Sequence, residues 1–360
     1  MTTPGEHVTT QGNVTRQTTA ETTSERVPEF GAEVSVVMTV LNEERHLPEA
    51  VGAVLDQDFS GSIEVILALG PSSDRTDAVA SALVNTDARV RTVENPSGRT
   101  PTGLNAALAV AKAPIIVRVD GHCALPKDYI STAVETLIRT QADNVGGVMA
   151  AEGTTTFEQA VAVAMTSKLG VGGAPFHVGG AEGEAQTVYL GVFRADALAR
   201  VGGYDETFDR AQDWEMNHRI RATGGTIWFN PKMQVSYRPR PTLRALSRQY
   251  FQYGTWRREV MRRHPETVQA RYLAPPLAVA AIATGALAGV AAQGGVAPRW
   301  LRLGWLAPVG YSAAVTVGGI AISRGEQRSV RARVPVVLAA MHMSWGAGFL
   351  TSRSKLRAKS

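Results

Sequence analysis

Three long apolar segments near the end of the chain constrain its fold more than any other feature. Residues 273–292, 303–323 and 334–352 contain no Asp, Glu, Lys or Arg. Each segment approaches or reaches the roughly 20 residues that a helix needs to cross a bilayer. The first two segments predict membrane-spanning helices. The third contains His342 and Ser344, so a re-entrant segment is a second interpretation of it.

Basic residues around these segments predict the orientation of the transmembrane region, residues 271–352. Arginines precede the first segment and recur in "RGEQRSVRAR" between the second and the third. Both stretches are therefore expected on the cytosolic side of the cell membrane. The loop "PRWLR" is then external. A third full span would put the basic tail at 353–360 outside, against the same rule, and the sequence leaves this conflict open.

The residues before the apolar segments are expected to stay in the cytosol. Residues 1–30 are rich in Thr, Glu and Gln, lack a signal-peptide pattern, and predict a disordered tail. Residues 241–270 combine arginines with aromatic residues at helical spacing, which is typical of a helix lying on a membrane surface. Packing of that helix on the preceding domain is the alternative.

The charge distribution narrows the choice of partners. Lys and Arg number 37 against 32 Asp and Glu, and Arg dominates the basic residues after position 238, close to the apolar segments. This placement favours anionic lipid over nucleic acid as a partner. The only cysteine, Cys123, excludes an internal disulfide and a cysteine-rich metal site.

Between the two ends, strand and helix patterns alternate. Runs of Val, Ile and Leu predict strands at residues 34–40, 64–69, 90–93 and 115–119, with helical patterns between them. This alternation indicates right-handed βαβ units and a parallel sheet. In such sheets a ligand binds beyond the carboxyl ends of the strands.

Polar side chains stand where the predicted strands end. Asn42 and Glu43 follow the first strand, Asp74 follows the second, and Asp120 follows the fourth. Each has a structural interpretation as well as a functional one. Asn42 can cap a helix, Asp74 can close an Asx-turn, and Asp120 can cap its turn.

The order of seven short motifs resembles that of family 2 glycosyltransferases with the GT-A fold. The motifs are "VSVVMTVLNEERHL", "GPSSDRTD", "GRTPTGLNAAL", "VRVDGH", "VGGYDE", "QDWEMNHRI" and "QYGTW". The chain is most similar to membrane-linked, inverting enzymes of bacterial exopolysaccharide and cell-wall glycan synthesis, such as those of the succinoglycan type. The resemblance implies an α/β, Rossmann-like catalytic domain with a mostly parallel sheet over residues 31–240.

The resemblance also implies roles for the strand-end residues. The nucleotide-sugar donor is expected to contact Asn42, Glu43, Asp74, Arg99 and Asp120. Asp120-Gly121-His122 stands at the family's Asp-x-Asp motif, which implies that Asp120 and His122 hold a divalent cation, Mn²⁺ or Mg²⁺. An imidazole ligand favours Mn²⁺. Gly70 stands where the family usually has an acidic residue, which weakens the expected contact with the nucleotide base.

Asp213 is the implied catalytic base, because Gln212-Asp213 matches the family's Glu-Asp pair. Inversion needs a carboxylate that takes the proton of the acceptor hydroxyl while its oxygen attacks the anomeric carbon. A helix cap is the alternative role for Asp213. "QYGTW" matches a Gln-x-x-Arg-Trp pattern, which implies that Gln252 and Trp256 bind the acceptor. Thr255 replaces the Arg of the pattern, and this favours transfer of one sugar over processive synthesis.

The implied function is that of a hexosyltransferase in polysaccharide or cell-envelope biosynthesis. It would move a sugar from a nucleotide donor, expected to be a UDP-sugar, to a lipid-linked or glycan acceptor at the cytosolic membrane face. One alternative is transfer of the sugar directly to polyprenyl phosphate. Another is a catalytically silent membrane scaffold that binds nucleotide, and Gly70 and Thr255 are the residues that favour it.

Overall fold

The structure is a computed structural model that describes Met1, residues 33–123 and residues 125–354. The predicted disordered tail, apart from Met1, and most of the basic tail at 353–360 lie outside the described residues. Gly31–Ser360 form one compact unit. This unit contains an α/β sheet domain followed by long apolar helices.

One eight-stranded sheet organises the first part of this unit, in the order β3-β2-β1-β4-β7-β5-β8-β6. Neighbouring strands run parallel, except that β7 is antiparallel to β4 and β5, and β6 is antiparallel to β8. The predicted mostly parallel sheet is therefore confirmed. The strands are β1 Val34–Val40, β2 Ile63–Leu69, β3 Val90–Glu94, β4 Ile115–Asp120, β5 Asn144–Ala151, β6 Gly183–Glu184, β7 Tyr189–Arg194 and β8 Ile227–Tyr237.

Helices cover both faces of the sheet, and this explains why the parallel strands are apolar along almost their whole length. Val36 and Met38 of β1 point into one buried cluster, whereas Val37 points into another on the opposite face. The helices of this domain are α1 Leu47–Leu55, α2 Thr76–Thr86, α3 Thr100–Val110, α4 Tyr129–Thr140, α5 Thr156–Met165, α6 Lys168–Val171, α7 Pro175–Val178, α8 Ala195–Val201 and α9 Gln212–Ala222.

The remainder of the unit is helical. It contains α10 Leu243–Arg263, a 3-10 turn Pro265–Thr267, α11 Ala270–Gln293, a 3-10 segment Arg299–Trp305, α12 Leu306–Ile322, α13 Arg328–Arg331 and α14 Val334–Thr351. Within the residues that the structure describes, three helical segments are long and apolar enough to cross a membrane: Ala270–Gln293, Arg299–Ile322 and Arg328–Thr351. Their most apolar windows are 11%, 11% and 33% buried within the protein, respectively. The third segment, which the sequence left open, is thus the one most covered by the protein itself.

Helix α10 packs along α14, and this changes the predicted role of its apolar face. Leu246, Tyr250, Trp256 and Val260 of that face are buried. The two helix backbones touch, because a β-carbon at Gly254 would overlap the carbonyl oxygen of Trp345. These four side chains are therefore covered by the protein itself. Placement of the helix at a membrane surface stays a prediction.

Candidate active site

The carboxyl end of β4 places Asp120 at the mouth of the sheet, beside the end of β1. In the register of these strands, Asp120 pairs with Thr39. The backbone continues through Gly121, where an added β-carbon would lie 3.3 Å from Cγ of Glu43. The first and fourth strand ends are thus in close contact, and this brings two of the predicted polar positions together.

Arg118 connects the two carboxylates on which the predicted chemistry depends. It lies two residues before Asp120, so both side chains leave the same face of β4. One guanidinium nitrogen donates to Oδ1 of Asp120 at 3.0 Å, and another donates to Oδ1 of Asp213. The structure therefore brings Asp120 and Asp213 together around one shared cation. We call these three residues the carboxylate–arginine bridge.

The bridge is asymmetric in its exposure to solvent. The side chain of Arg118 is 9% exposed, whereas that of Asp213 is 38% exposed. Burial alone would lower the pKa of Arg118, but the charges of Asp213 and Asp120 outweigh it and raise this pKa well above its ordinary value. The guanidinium is therefore a permanent buried cation. The Asp213 carboxylate that contacts it is partly exposed to solvent.

Helix α9 supplies Asp213 from its first turn. Ala211 immediately before the helix has a left-handed backbone, with φ of 62°, and this turns the chain sharply into the helix. A carboxylate at a helix amino end is favoured by the peptide dipoles. The contacts of Asp213 do not support its alternative role as a helix cap, because Asp213 lies inside the helix and accepts a hydrogen bond from Arg118.

His122 lies on the exposed side of the same strand end. Its Nδ1 makes a hydrogen bond of 2.8 Å with Oε1 of Glu43. This hydrogen bond raises the pKa of His122, against the opposing effect of burial. A ring that donates from Nδ1 to Glu43 keeps Nε2 as its metal-binding nitrogen.

The donor set at the end of β4 fits a divalent cation. Asp120 accepts from Arg118 through Oδ1, which leaves Oδ2 as the oxygen for a cation. A hard carboxylate oxygen beside one imidazole suits Mn²⁺ and admits Mg²⁺. Asp120 and His122 are the residues that would hold such an ion, and their role stays a prediction.

The ends of β1 and β2 are tied to each other by local hydrogen bonds. Asn42, with a left-handed backbone at φ 57°, accepts from the amide of Ser73 at 2.7 Å. Asp74 accepts from the amide and the hydroxyl of Thr76 and, at 3.3 Å, from the amide of Glu44. We call residues 42–44 and 72–76 the strand-end turns. Their predicted nucleotide contacts remain predictions, and both oxygens of Asp74 already have partners.

Arg99 begins α3 and reaches across to the segment before α9. Its Nε donates to Oδ1 of Asp209 at 2.5 Å, and both side chains are substantially exposed. The predicted diphosphate contact of Arg99 would compete with this surface ion pair. Because Asp209 lies four residues before Asp213, the pair also connects the start of α3 with the approach to the predicted base.

The predicted acceptor residues on α10 have different environments. Trp256 is buried, and its ring centroid lies 6.1 Å from that of Phe208. The indole of Trp256 is therefore covered by the protein in this structure, and its predicted contact with the acceptor stays a prediction. Gln252 lines a cleft of about 500 Å³ that we call the arginine cleft, formed by Arg210, Arg240, Thr242, Arg244, Ala245, Arg248, Gln249 and Gln252.

Sequence reasoning missed the two arginine features. Arg118 was a single cation in an otherwise apolar strand, "IIVRVD", and that pattern was the available signal for a buried ion pair. The arginine cleft joins residues before α9, after β8 and on α10, which only the tertiary structure brings together. Arg257 does not replace the Arg missing at Thr255, because its guanidinium lies between Trp214 and Tyr272, 4.4 and 4.3 Å from their ring centroids.

Comparisons with known proteins agree with this architecture. The family profile described as "Glycosyl transferase family 2" matches residues 35–183. The chain is 33% identical over 317 residues to the succinoglycan biosynthesis protein ExoA of Rhizobium meliloti (strain 1021), covering 87% of this chain and 93% of that protein. A shorter match, 30% identical over 101 residues, is to the uncharacterized glycosyltransferase EpsJ of Bacillus subtilis (strain 168), covering 28% of each protein.

Among solved structures, the chain is similar to the mannosyltransferase PcManGT from Pyrobaculum calidifontis in complex with GDP-Man and Mn²⁺. The TM-score is 0.56 at 16% sequence identity, over 88% of this chain and 87% of that one. At this identity the likeness shows a shared fold. The predicted GT-A architecture of the sheet domain is thereby confirmed.

Proposed function

The chain belongs to glycosyl transferase family 2 and is a glycosyltransferase, and on that premise we propose an inverting transfer at the cytosolic face of a membrane. A sugar would pass from a nucleotide-sugar donor, a UDP-sugar, to a lipid-linked acceptor of exopolysaccharide synthesis. The observation that carries this proposal is the carboxylate–arginine bridge, in which Asp120 and Asp213 share Arg118.

In the proposed reaction Asp213 is the base. The acceptor oxygen attacks the anomeric carbon as its proton passes to the Asp213 carboxylate, and the bond from that carbon to the diphosphate breaks. The nucleoside diphosphate leaves with the bonding electron pair. Arg118 donates to Oδ1 of Asp213, so Oδ2 is the oxygen assigned to the incoming proton. The buried guanidinium positions the carboxylate through a charge-assisted hydrogen bond.

The leaving group would lie against the end of β4. Asp120 and His122 would hold the divalent cation, which when bound neutralises charge on the departing diphosphate. Glu43 would orient His122 through its 2.8 Å hydrogen bond. Asn42 and Arg99 would contact the nucleotide from the strand-end turns and the start of α3.

The arginine cleft supports a lipid-linked acceptor. Four arginine side chains surround a cavity of about 500 Å³ that also includes Gln252 of α10. Guanidinium groups bind phosphate oxygens in paired hydrogen bonds. The cleft would hold the phosphate groups of a lipid carrier, while the three apolar helical segments keep the protein in the membrane that contains it. The role of the relative in succinoglycan biosynthesis supports an exopolysaccharide pathway.

The experiment that tests the function is a donor screen with the full-length protein in membranes. UDP-sugars and GDP-sugars are supplied with Mn²⁺ and a lipid extract, and nucleoside diphosphate release is followed. We expect release with at least one UDP-sugar and a loss of about 10²- to 10⁴-fold in Asp213→Asn, because a general base contributes that much. Asp196→Asn, an exposed carboxylate in the first turn of α8, is the matched control.

The same experiment separates the alternatives. The mass of the lipid product distinguishes extension of a diphosphate-linked saccharide from formation of a sugar–lipid monophosphate, the product expected of a polyprenyl-phosphate sugar synthase. Equal background release from the wild type and Asp213→Asn with every donor would leave only the silent scaffold.

A further inference from the structure

A second group of metal-ligating side chains lies where α9, the end of α10 and the turn before α11 meet. His218 of α9 has Nε2 at 2.8 Å from Oε1 of Glu266, and His264 has Nδ1 at 3.7 Å from the same oxygen. One ligand atom from each of the three residues lies within 4.8 Å of the other two. We call these residues the histidine–glutamate cluster, and the predicted glycosyl transfer does not use them.

The cluster joins three separate elements. His218 belongs to the helix that supplies Asp213, His264 immediately follows α10, and Glu266 lies in the 3-10 turn before α11. Both histidines are largely covered, whereas the side chain of Glu266 is 60% exposed. The two imidazoles lie side by side, with ring centroids 4.5 Å apart. Two covered rings with an open carboxylate side form a site that an ion can enter from solvent.

A neighbouring carboxylate fixes the orientation of His264. Oε1 of Glu215 lies 3.1 Å from Nε2 of His264, and Glu215 is itself held by Arg219. Donation from Nε2–H to Glu215 leaves Nδ1 unprotonated and facing the cluster. Histidines that bind metals commonly donate their second nitrogen to a carboxylate in this manner, which selects the tautomer and increases ligand basicity.

Aromatic and cationic neighbours complete the surroundings. The ring of His218 stacks on Trp214 at 5.8 Å with an interplanar angle of 6°, so its plane is fixed by packing. Arg221, on the same helix, opposes the addition of positive charge near His218. The carboxylate of Glu266 counters that effect at His218, and it supplies the anionic ligand directly.

We propose that His218, His264 and Glu266 form a zinc site that ties the catalytic helix to the start of the membrane region. Zinc bonds of about 2.0–2.2 Å in a tetrahedron place ligand atoms about 3.3 Å apart. The separations of 2.8 and 3.7 Å at Glu266 lie on either side of that value, so small side-chain adjustments suffice. Two imidazoles and one carboxylate leave the fourth position to water.

The site would restrain the position of α9 relative to α10 and α11. Without an ion, these elements are linked there by hydrogen bonds of His218 and His264 to the acidic residues. With zinc, the same side chains share one coordination centre, which links the helix of Asp213 to the turn that leads into Ala270–Gln293. The zinc is therefore a positioning element distinct from the cation expected at Asp120 and His122.

The test is metal retention by the full-length protein in detergent. The protein is stripped with chelator, loaded with Zn²⁺ in the presence of excess Mg²⁺, and dialysed, and its zinc is measured by mass spectrometry. We expect about one zinc per chain in the wild type, in His46→Gln and in Asp120→Asn. His218→Gln and His264→Gln are expected to lose it. His46 is an exposed histidine before α1, and it controls for adventitious binding by imidazole.

Substitution with Co²⁺ gives an independent result. The wild type should show the visible absorption of four-coordinate cobalt, and Glu266→Gln should weaken cobalt binding by at least about tenfold. Because Glu266 is mostly exposed, this variant is expected to fold even if a histidine variant does not. Equal zinc content in the wild type and His218→Gln, no zinc retained by the wild type, or cobalt binding unchanged in Glu266→Gln would each overturn the proposal.

Discussion

At the ends of β1 and β2, Asp74 gives its carboxylate oxygens to amides and a hydroxyl of neighbouring turns, whereas at the end of β4 Asp120 shares a buried guanidinium with Asp213. The carboxylate of Asp74 is thus held by uncharged donors, and those of the carboxylate–arginine bridge by a cation. The first arrangement fixes the backbone of the strand-end turns. The second joins two carboxylates that would otherwise repel each other.

The comparison indicates which acidic residues have chemical roles. A carboxylate that caps its own turn has little capacity left for a ligand, although a mutation there changes local stability. A carboxylate that faces a buried cation keeps an outward oxygen, and Asp213 is 38% exposed. Three substitutions test this division, beginning with the one expected to have the largest effect.

Replacing Arg118 by Met would remove the cation of the bridge. We expect the free energy of unfolding to fall by about 3 kcal/mol, because the loss of one partner leaves a partly buried ion pair uncompensated. Transferase activity should fall with it, since Asp120 and Asp213 then repel each other. Thermal and denaturant unfolding of the full chain in detergent, together with donor turnover, measure the two effects.

Two further variants calibrate this result. Arg118→Lys keeps the charge but cannot reproduce the guanidinium fork that reaches both carboxylates, so we expect an intermediate loss. Arg91→Met removes a pair with Glu64 in which the arginine is more exposed than Arg118 and faces one carboxylate where Arg118 faces two, and its cost should be smaller. Equal stability losses in Arg118→Met and Arg91→Met would contradict the special status of the bridge.

Glu43 contacts both the strand-end turns and a residue beside the carboxylate–arginine bridge. Its amide donates to the hydroxyl of Thr76 in the strand-end turns at 2.8 Å, while its carboxylate accepts from His122 beside the bridge. Glu43→Gln keeps the backbone contact and weakens the hold on His122. Since second-shell carboxylates contribute about 10- to 100-fold to metal affinity, the Mn²⁺ concentration for half-maximal activity should rise by about tenfold or more.

Glu44→Gln is the matched control for this experiment. Glu44 lies next to Glu43, but its carboxylate accepts from the amide of Arg75 and does not contact His122. Its Mn²⁺ requirement should match that of the wild type. A similar shift in both variants would assign the effect to the shape of the turn and would separate Glu43 from the metal site.

Much of the sheet was predictable, because buried parallel strands show themselves as short apolar runs. Residues 34–40 were predicted as a strand with the bounds that β1 has. In contrast, "TIWF" and "QVSY" are short stretches separated by "NPKM", and the structure joins them in one strand, β8, whose register with β5 shifts between Gly146 and Val148. Pro231 lies within β8 and cannot donate a ladder hydrogen bond. A proline at this position indicates the end of a strand, although β8 continues past it.

The candidate site was predictable only in part. Asp120 and Asp213 were identified through motif order, which places residues at strand and helix ends. Arg118 was missed, because the sequence of an apolar strand does not show which carboxylates will contact its single cation. The arginine cleft and the histidine–glutamate cluster each draw on segments distant in sequence. Both features form only when α10 packs in its observed position. Helical periodicity alone does not show which element α10 will pack against.

The smallest expected effect concerns Asp74, which sequence reasoning assigned to the nucleotide. Asp74→Ala removes the acceptor for Thr76 and for the amide of Glu44, so we expect a small loss of stability. The hydroxyl and amide hydrogen bonds keep the pKa of Asp74 below its ordinary value. The carboxylate therefore stabilises the fold at pH values above its ordinary pKa, and this contribution is lost as acid protonates it.

The kinetic constants decide whether Asp74 has a second role. If its oxygens serve only the turn, Asp74→Ala should lower the melting temperature while the KM for the donor stays close to that of Asp77→Ala, a variant of the next exposed acid on α2. A tenfold rise in KM in Asp74→Ala alone would mean that the nucleotide displaces a local hydrogen bond when it binds. The strand-end turns would then bind ligand as the bridge does, and the division between the two regions would no longer hold.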